Sequence, residues 1–198
     1  MPELILFNKP FQVLSQFSDK QGRETLACYI KAPGFYPAGR LDFDSEGLLV
    51  LTDDGSLQAR IAHPRSKMKK RYQLQLEGQV GAEFCESIRL GVQLKDGVTR
   101  PARATAISDP ELWPRIPPVR QRKNDLTCWV EIELAEGRNR QLRRMCAALG
   151  FPVLRLVRQQ VGDWSLGGLR PGQWSRIKVN LPRDGSRLGS GKKSRYRR

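Results

Sequence analysis

Two segments of the chain place carboxylates and arginines at spacings that suit chemistry, and the first is residues 39–55, GRLDFDSEGLLVLTDDG. A loop that carries an arginine and several carboxylates leads directly into the apolar run 48–51. A simple turn does not require so many charged residues, so a functional role is considered for this loop. Asp42 lies between Leu41 and Phe43, where a carboxylate is costly unless it is paired. Asp42 is therefore the residue of interest in this segment. On the pattern alone, the favoured interpretation is a turn aspartate that accepts hydrogen bonds from nearby backbone amides.

The second segment is residues 136–150, EGRNRQLRRMCAALG, where four arginines surround Gln141 at the predicted start of a helix. They are Arg138, Arg140, Arg143 and Arg144. A helix N-terminus with guanidinium groups around it can bind a phosphate or a carboxylate. We predict the first two in a loop and the last two on the first helical turn, with one facing a buried carboxylate and the others facing phosphates. The alternative is a solvated basic face.

Other chemistries fit the sequence less well. DFDS at residues 42–45 resembles a phosphotransfer loop with Asp42 as nucleophile and Asp44 as magnesium ligand, but such a loop follows an apolar strand. Here residues 36–40, YPAGR, precede it, and an adjacent arginine suits a magnesium site poorly. The single histidine, His63, excludes a His-rich metal site and precedes a proline at a predicted helix end, which favours a structural or surface role.

The four cysteines are far apart in sequence and show no CxxC spacing. We therefore predict that they are buried free thiols of the core, as in a reducing cytosol, rather than metal ligands or disulfides. They are Cys28, Cys85, Cys128 and Cys146.

The elements that must position these residues alternate between strands and helices without an internal repeat. Strands are predicted at residues 4–8, 13–17, 48–51, 98–107, 128–134 and 153–157, and around the alternating Tyr72, Leu74 and Leu76. Helices are predicted at 26–31, after a capping Ser56, around Phe84 and Ile88, and from Leu142 to a stop at Gly150. Residues 109–125 form a Pro-, Arg- and Trp-containing loop too irregular to be core. This pattern predicts an α+β fold with a mixed, mainly antiparallel sheet flanked by helices.

The composition limits the class of protein. The chain has 198 residues with a formal net charge of +15, which is enough for one domain with a real core and favours a polyanionic partner. No apolar run approaches the roughly 20 residues that span a bilayer, and we expect neither a signal peptide nor a membrane partner. Residues 183–198 contain seven Lys or Arg and one Asp, and we predict a basic, disordered tail that contacts nucleic acid, or else only aids solubility.

Four strings resemble, in order and spacing, the motifs of the RsuA-like pseudouridine synthases. They are FNKP (7–10), GRLDFDSEGLLVLTDDG (39–55), KRYQLQLEG (70–78) and EGRNRQLRRMCAALGFPVLRLVR (136–158). The resemblance covers residue 4 to about 181 and implies a catalytic domain of that fold over residues 1–182. Because FNKP begins at residue 7, we expect no N-terminal S4 RNA-binding module of the kind common in the family.

The resemblance also implies roles for particular residues. The catalytic aspartate of the family matches Asp42, the tyrosine that stacks on the target base matches Tyr72, and the arginine partner of the catalytic carboxylate matches Arg143. The aliphatic residue that lines the base pocket matches Leu156. Phe43 stands where many relatives carry a polar or basic residue. Arg143 would keep Asp42 ionised, since a nearby opposite charge favours the carboxylate.

The reaction that the resemblance implies is the isomerisation of a uridine in RNA, with no cofactor. We expect a monomeric cytoplasmic enzyme acting on ribosomal RNA, of the large subunit in particular, with a non-catalytic protein of rRNA binding or ribosome assembly as the alternative. Basic side chains would supply phosphate contacts. The candidates are Arg40, Lys67, Lys69, Lys70, Arg71, Arg138, Arg140 and the tail.

Overall fold

A computed structural model describes residues 1–63, 66–119 and 126–179 of the chain. The strands are β1 (Glu3–Lys9), β2 (Tyr36–Pro37), β3 (Glu46–Thr52), β4 (Lys70–Glu77), β5 (Gln93–Leu94), β6 (Gly97–Val98), β7 (Arg103–Ile107), β8 (Thr127–Leu134), β9 (Val153–Val161), β10 (Trp164–Ser165) and β11 (Trp174–Lys178). The helices are α1 (Gly55–Ala62), α2 (Ala82–Leu90) and α3 (Gln141–Ala148), with a 3-10 turn at Leu26–Cys28.

Nine of these strands form one sheet. Its main path runs β11-β1-β3-β9-β4-β8-β7, with β2 paired to β3 and β10 paired to β9. Every pairing is antiparallel except β3 with β9, which are parallel. The predicted α+β class and the mixed, mainly antiparallel sheet are therefore confirmed.

The burial of each strand follows from the number of faces that are covered. In β4, Tyr72, Leu74 and Leu76 are buried and alternate with less buried residues, as a strand with one covered face requires. All seven residues of β3 are buried, because Leu49 and Leu51 pack into one hydrophobic cluster and Leu48 and Val50 into another. The first cluster includes residues of α2 and α3, and the second includes residues of α1. The central strand is thereby held from both sides.

Three predicted elements differ from the structure. Residues 13–17 are not a strand, since Leu14 makes only an isolated bridge to Thr25. The predicted helix 26–31 is shortened to the 3-10 turn. The predicted strand 98–107 is interrupted between β6 and β7. Thr99 turns inward there and its Oγ1 accepts from the amide of Val92 at 2.9 Å, and Pro101 has no amide hydrogen for a ladder.

Smaller corrections concern single side chains. The cap of α1 is Asp54, not Ser56, because the Asp54 carboxylate accepts from the amide of Leu57 at 2.8 Å. The prediction that all four cysteines are core is wrong, since Cys28 is exposed and Cys128 is half-buried, whereas Cys85 and Cys146 are buried.

His63 is the C-cap of α1 and is exposed, as predicted. The loop before β8 carries no helix or strand in its described part. Its Trp113 nevertheless packs against the second hydrophobic cluster. The prediction that this loop lies outside the core is therefore wrong at Trp113. Residues 120–125 and the predicted tail lie outside the described residues. In the part that the structure describes, none of the helices is long and apolar enough to span a membrane.

Candidate active site

A cleft of about 630 Å³ opens beside the centre of the sheet, and its walls come from both chemical segments of the sequence. All eight predicted site residues line it: Arg40, Asp42, Lys70, Tyr72, Arg138, Arg140, Arg143 and Leu156. Six of the lining residues are cationic and two are carboxylates. The fold therefore brings together residues that are more than one hundred positions apart in sequence, in a cavity with an excess of positive charge.

Asp42 lies in the loop between β2 and β3, residues 38–45, which we call the catalytic loop because Asp42 is the predicted catalytic residue. Backbone contacts hold this loop on both sides of Asp42. The Ser15 hydroxyl donates to the carbonyl of Leu41 at 2.8 Å and accepts from the amide of Leu41 at 3.1 Å. The amide of Ser45 donates to the carbonyl of Asp42 at 3.1 Å. The Asp42 side chain is 37% exposed, more open than the position between Leu41 and Phe43 suggested. It projects from a fixed loop into the cleft.

The two arginines of this site divide their contacts differently from the prediction. Arg140 lies 3.7 Å from Asp42 and makes a bidentate pair with Asp44 at 2.8 and 2.9 Å. Arg143 lies 3.3 Å from the Asp44 carboxylate and donates to the Asp44 carbonyl at 2.6 Å and to the Val153 carbonyl at 3.1 Å. Arg143 thus fastens the catalytic loop to β9, and among the described residues the cation nearest to Asp42 is Arg140.

The electrostatics of this cluster follow from burial and charge. Burial lowers the pKa of the Arg143 guanidinium, against the opposing effect of Asp44. For Asp44, burial raises the pKa, but the hydrogen bond from Arg140 and the charges of Arg143 and Arg140 outweigh it, so the pKa lies below its ordinary value. Because arginine donors occupy the Asp44 oxygens, the residue is poorly suited to bind magnesium, which argues against a phosphotransfer loop.

The loop before α3 owes its shape to a buried hydrogen-bonded chain. The Gln141 amide donates to Glu136 at 2.5 Å, and the Gln141 side-chain oxygen accepts from the backbone amide of Arg138 at 2.9 Å. Arg140 then adopts the left-handed conformation, with φ of 45°. This turn aims the Arg140 side chain at the catalytic loop.

The other two arginines of the segment make different contacts. The Arg138 guanidinium donates to the carbonyls of Asp96, Gly97 and Val98. Arg144 pairs with the Asp96 carboxylate at 2.8 and 3.1 Å. Arg143 and Arg144 therefore point in different directions, as predicted. Most donors of Arg138 are already engaged by the turn between β5 and β6.

Tyr72 and Leu156 form the apolar floor of the cleft, from the neighbouring strands β4 and β9. Both are buried, and the pairing register shifts between Arg71 and Tyr72. Lys70 lies two residues before Tyr72 on β4 and is half-buried. Burial, with the charge of Arg158 as a lesser cause, lowers the pKa of Lys70.

Sequence reasoning did not identify four charged residues that support this floor: Lys9, Glu46, Arg155 and Arg158. All four are buried. The signal that could have found them is a charged residue inside an otherwise apolar strand, as in LILFNK and VLRLVR, because such a residue needs internal partners.

Two of these residues join into a buried ion pair. Arg155 binds both oxygens of Glu46 at 2.9 Å, and the Trp113 indole N–H donates to Glu46 at 3.0 Å. Arg155 also donates to the Trp113 carbonyl at 2.9 Å. This cluster joins β3, β9 and the loop before β8, directly behind the catalytic loop.

Lys9 ends β1 with its ammonium group inside the protein. It donates to the carbonyls of Pro10 and Val13, each at 2.8 Å. Burial lowers the pKa of Lys9 to about 7, although the charges of Glu46, Asp44 and Asp42 oppose the shift. Lys9 therefore fixes the start of the segment whose Gln12 amide donates to the Phe43 carbonyl of the catalytic loop at 2.8 Å.

Comparison with known proteins gives consistent results. A family model described as RNA pseudouridylate synthase matches residues 3–148. The chain is 54% identical over 177 residues to ribosomal large subunit pseudouridine synthase E of Vibrio parahaemolyticus, covering 89% of this chain and 74% of that protein. The protein of the same name from Xanthomonas axonopodis pv. citri is 55% identical over 171 residues, covering 85% of this chain and 90% of the relative. A crystal structure titled pseudouridylate synthase superposes with a TM-score of 0.72 at 27% identity, covering 90% of this chain and 71% of that one.

Proposed function

This chain belongs to the RNA pseudouridine synthase family, and from that premise we propose that it converts a uridine of large-subunit ribosomal RNA to pseudouridine with Asp42 as the catalytic residue. The observation that carries the assignment of residues is their convergence in one cleft, where Asp42, Tyr72 and Leu156 meet the arginines of the second segment. The substrate assignment is supported by the relatives named for the large ribosomal subunit, which are more than half identical to the chain.

The reaction is an isomerisation in which the bond between C1′ of the ribose and N1 of uracil is exchanged for one between C1′ and C5. The base detaches, turns and rejoins, C5 loses a proton and N1 gains one, so no oxidant and no water are consumed. Asp42 acts either as a nucleophile on the sugar or as a base that assists cleavage. The position of its side chain in the open cleft, 3.7 Å from Arg140, suits either role.

The floor of the cleft suits the detached base. Tyr72 offers a flat, amphipathic ring, and Leu156 beside it excludes water from that side. A detached uracil in an open site would diffuse away, so stacking and confinement are part of the chemistry. Reaching a paired or stacked uridine costs a few kcal/mol, which stacking and phosphate contacts offset.

The cations around the cleft are the proposed phosphate contacts. Arg40 is exposed at the rim, next to Asp42, and Lys70 lines the floor. Lys69, just before β4, lies 2.9 Å from Glu133 of β8, and Arg71 of β4 lies 3.9 Å from Glu131 of β8, so the charges of these two cations are partly neutralised. Arg40 and Lys70 are therefore the better candidates of this group.

The proposal is tested by mapping pseudouridine at single-nucleotide resolution in the ribosomal RNA of cells that lack this protein. The strain is complemented with the intact chain, with Asp42→Asn, or with Asp163→Asn. The last variant is the control, because it makes the same substitution at an exposed aspartate outside the cleft. We expect one large-subunit signal to disappear and to return with the intact chain and with Asp163→Asn only. If no signal in either subunit changes, the substrate assignment is wrong.

The alternative is a non-catalytic protein that binds ribosomal RNA, for which positive charge alone would suffice. Binding does not require a carboxylate, a stacking tyrosine and paired arginines in one cleft. Equal RNA binding by the intact chain and Asp42→Asn, together with restored modification by both, would contradict catalysis by Asp42.

A further inference from the structure

Arg158 is a buried arginine in the cleft whose charge has no protein partner in the described part of the chain. The residue is 3% exposed and lines the cleft. Its Nε donates to the carbonyl of Leu48 at 2.7 Å, which fixes the plane of the guanidinium. The two terminal nitrogens make no hydrogen bond to a described residue, and no carboxylate oxygen of the described residues lies within 4 Å of them.

The two other buried basic side chains of the described residues have the kinds of partner that the terminal nitrogens of Arg158 lack. Arg155 binds both oxygens of Glu46 and a backbone carbonyl. Lys9 donates to two backbone carbonyls. A guanidinium that is removed from water without an anion is costly, and the protein tolerates that cost where a ligand supplies the anion.

The position of Arg158 points to the nature of that ligand. Arg158 lies directly opposite Tyr72 in the pairing of β9 with β4, so the guanidinium side chain and the phenol ring are cross-strand neighbours. On its other side is Gly47 of β3, where a Cβ atom would lie 2.3 Å from the Arg158 carbonyl. The strand approaches closely there and contributes no side chain, so the space in front of Arg158 belongs to the cleft.

A second cation lies nearby. Lys70 also lines the cleft, two residues before Tyr72 on the same strand. The charge of Arg158 contributes, after burial, to the lowered pKa values of both Lys70 and Lys9, so Arg158 lies close enough to repel each of these lysines. The carboxylates that face Lys9 are Glu46, Asp44 and Asp42, and the first two are bound to Arg155 and Arg140.

We propose that Arg158 and Lys70 form an anion site that binds a backbone phosphate of the nucleotide whose base lies on Tyr72. The proposal rests on the proposed function, because RNA carries its negative charge as phosphate. A guanidinium with one fixed nitrogen presents its two terminal nitrogens as a fork that matches phosphate oxygens. The site would hold the sugar in place while its base is detached.

The test is a titration of the full-length protein with uridine, uridine 3′-monophosphate, uridine 5′-monophosphate and inorganic phosphate. Binding is followed by NMR on the Nε–Hε signal of Arg158 in 15N-labelled protein. We expect at least one monophosphate to bind about tenfold more tightly than uridine and to shift that signal. The monophosphate that is preferred identifies which phosphate the site takes.

The same titrations on variants assign the effect to the site. Arg158→Gln is expected to abolish the preference for the monophosphate, and Lys70→Gln to reduce it. The matched control is Arg176→Gln on β11, which removes the same charge from an exposed pair with Glu3 outside the cleft. Equal affinities for uridine and both monophosphates, or an unchanged preference in Arg158→Gln, would overturn the proposal.

Loss of folding is kept separate from loss of binding. Should Arg158→Gln fail to fold, as judged by its melting curve, the Arg158 signal of the unmutated protein and the Lys70→Gln variant decide the question. Because the titration needs no turnover, monophosphate binding by a protein whose removal from cells changes no ribosomal pseudouridine signal would count against the proposed function only. A normal modification pattern with no phosphate binding would count against the anion site only.

Discussion

At the scale of single residues, the cleft contains two kinds of group, namely side chains that hold the catalytic loop and side chains that we propose to contact the substrate. Arg143 contacts the backbone and carboxylate of Asp44 and a carbonyl of β9, whereas Tyr72 lines the cleft and makes no hydrogen bond through its hydroxyl in the described structure. The two residues should therefore respond differently to conservative substitution.

Tyr72→Phe is expected to retain kcat/KM within about threefold, because it keeps the ring on which the base stacks. Tyr72→Leu should lose about tenfold to hundredfold, since stacking of a base on an aromatic ring is worth about 1–3 kcal/mol. The measurement is single-turnover modification of a ribosomal RNA fragment. Equal losses in the two variants would show that the hydroxyl, not the ring, is required.

Arg140→Gln should lower kcat/KM by about tenfold to hundredfold, because hydrogen bonds to a charged group contribute about 1.5–3 kcal/mol and this arginine orders both Asp42 and Asp44. Arg144→Gln is the matched control on the same segment, since Arg144 pairs with Asp96 outside the cleft. A similar loss in both variants would indicate general RNA binding and not an effect on the catalytic loop.

The sequence predicted residues that meet in one cleft of the structure, but not how their side chains pair within it. The motifs supplied Asp42, Tyr72 and Leu156, and the structure brings them together. Which arginine approaches which carboxylate depends on the left-handed turn at Arg140, and nothing in the residue type of an arginine predicts a positive φ. In the structure Arg143 contacts Asp44, and its pairing with Asp42 stays a prediction.

At the scale of elements, the catalytic loop is held by the strands behind it. Glu46 begins β3 four residues after Asp42, and its carboxylate is shared between Arg155 of β9 and Trp113 of the loop before β8. A buried ion pair adds little net stability, but removing one partner leaves an uncompensated charge.

Glu46→Ala should therefore lower the free energy of unfolding by about 3–5 kcal/mol. The control is Glu86→Ala, which breaks the exposed pair with Arg89 on α2 and should cost no more than about 1 kcal/mol. Both values are obtained from urea denaturation at neutral pH. A loss at Glu46 as small as that at Glu86 would mean that water or a rearranged loop compensates Arg155.

Periodicity predicted the elements well where one face or both faces of a strand are covered. The alternation in β4 and the continuous apolar run in β3 both appear as predicted. It failed where backbone polar groups find non-sheet partners: residues 98–107 break at Thr99 and Pro101, and the segment after β1 bonds to other loops. Hydrophobic pattern alone does not contain these long-range backbone contacts.

At the scale of the whole molecule, Lys9 links stability to pH. Burial places its pKa at about 7 in the folded protein against an ordinary 10.5, so between these values the unfolded chain binds more protons. Stability should therefore rise as pH increases from about 7 towards 10.5, and this contribution is lost as pH falls through 7. Lys9→Met should remove this slope, as measured by urea denaturation across that range. Parallel pH profiles for the two proteins would refute the linkage.

The net charge of +15 is also a property of the whole chain, and the predicted tail carries much of it. Deleting residues 183–198, which lie outside the described residues, should weaken RNA binding and flatten its dependence on salt concentration, because fewer counterions are released. Modification of a short RNA at saturating concentration should be unchanged. Affinity at low salt that equals that of the full chain would rule out an RNA contact by the tail.

The single parallel pairing in the described main sheet, between β3 and β9, bears on when during folding the cleft acquires all of its walls. The pairing of β3 with β9 joins residues about 110 positions apart, and the Arg155–Glu46 contact spans 109. Such non-local contacts form late, because a long loop must close first. A nascent chain that has emerged only through β8 has Asp42 and Tyr72 but neither Leu156 nor Arg158. The cleft therefore becomes complete only after β9 has left the ribosome.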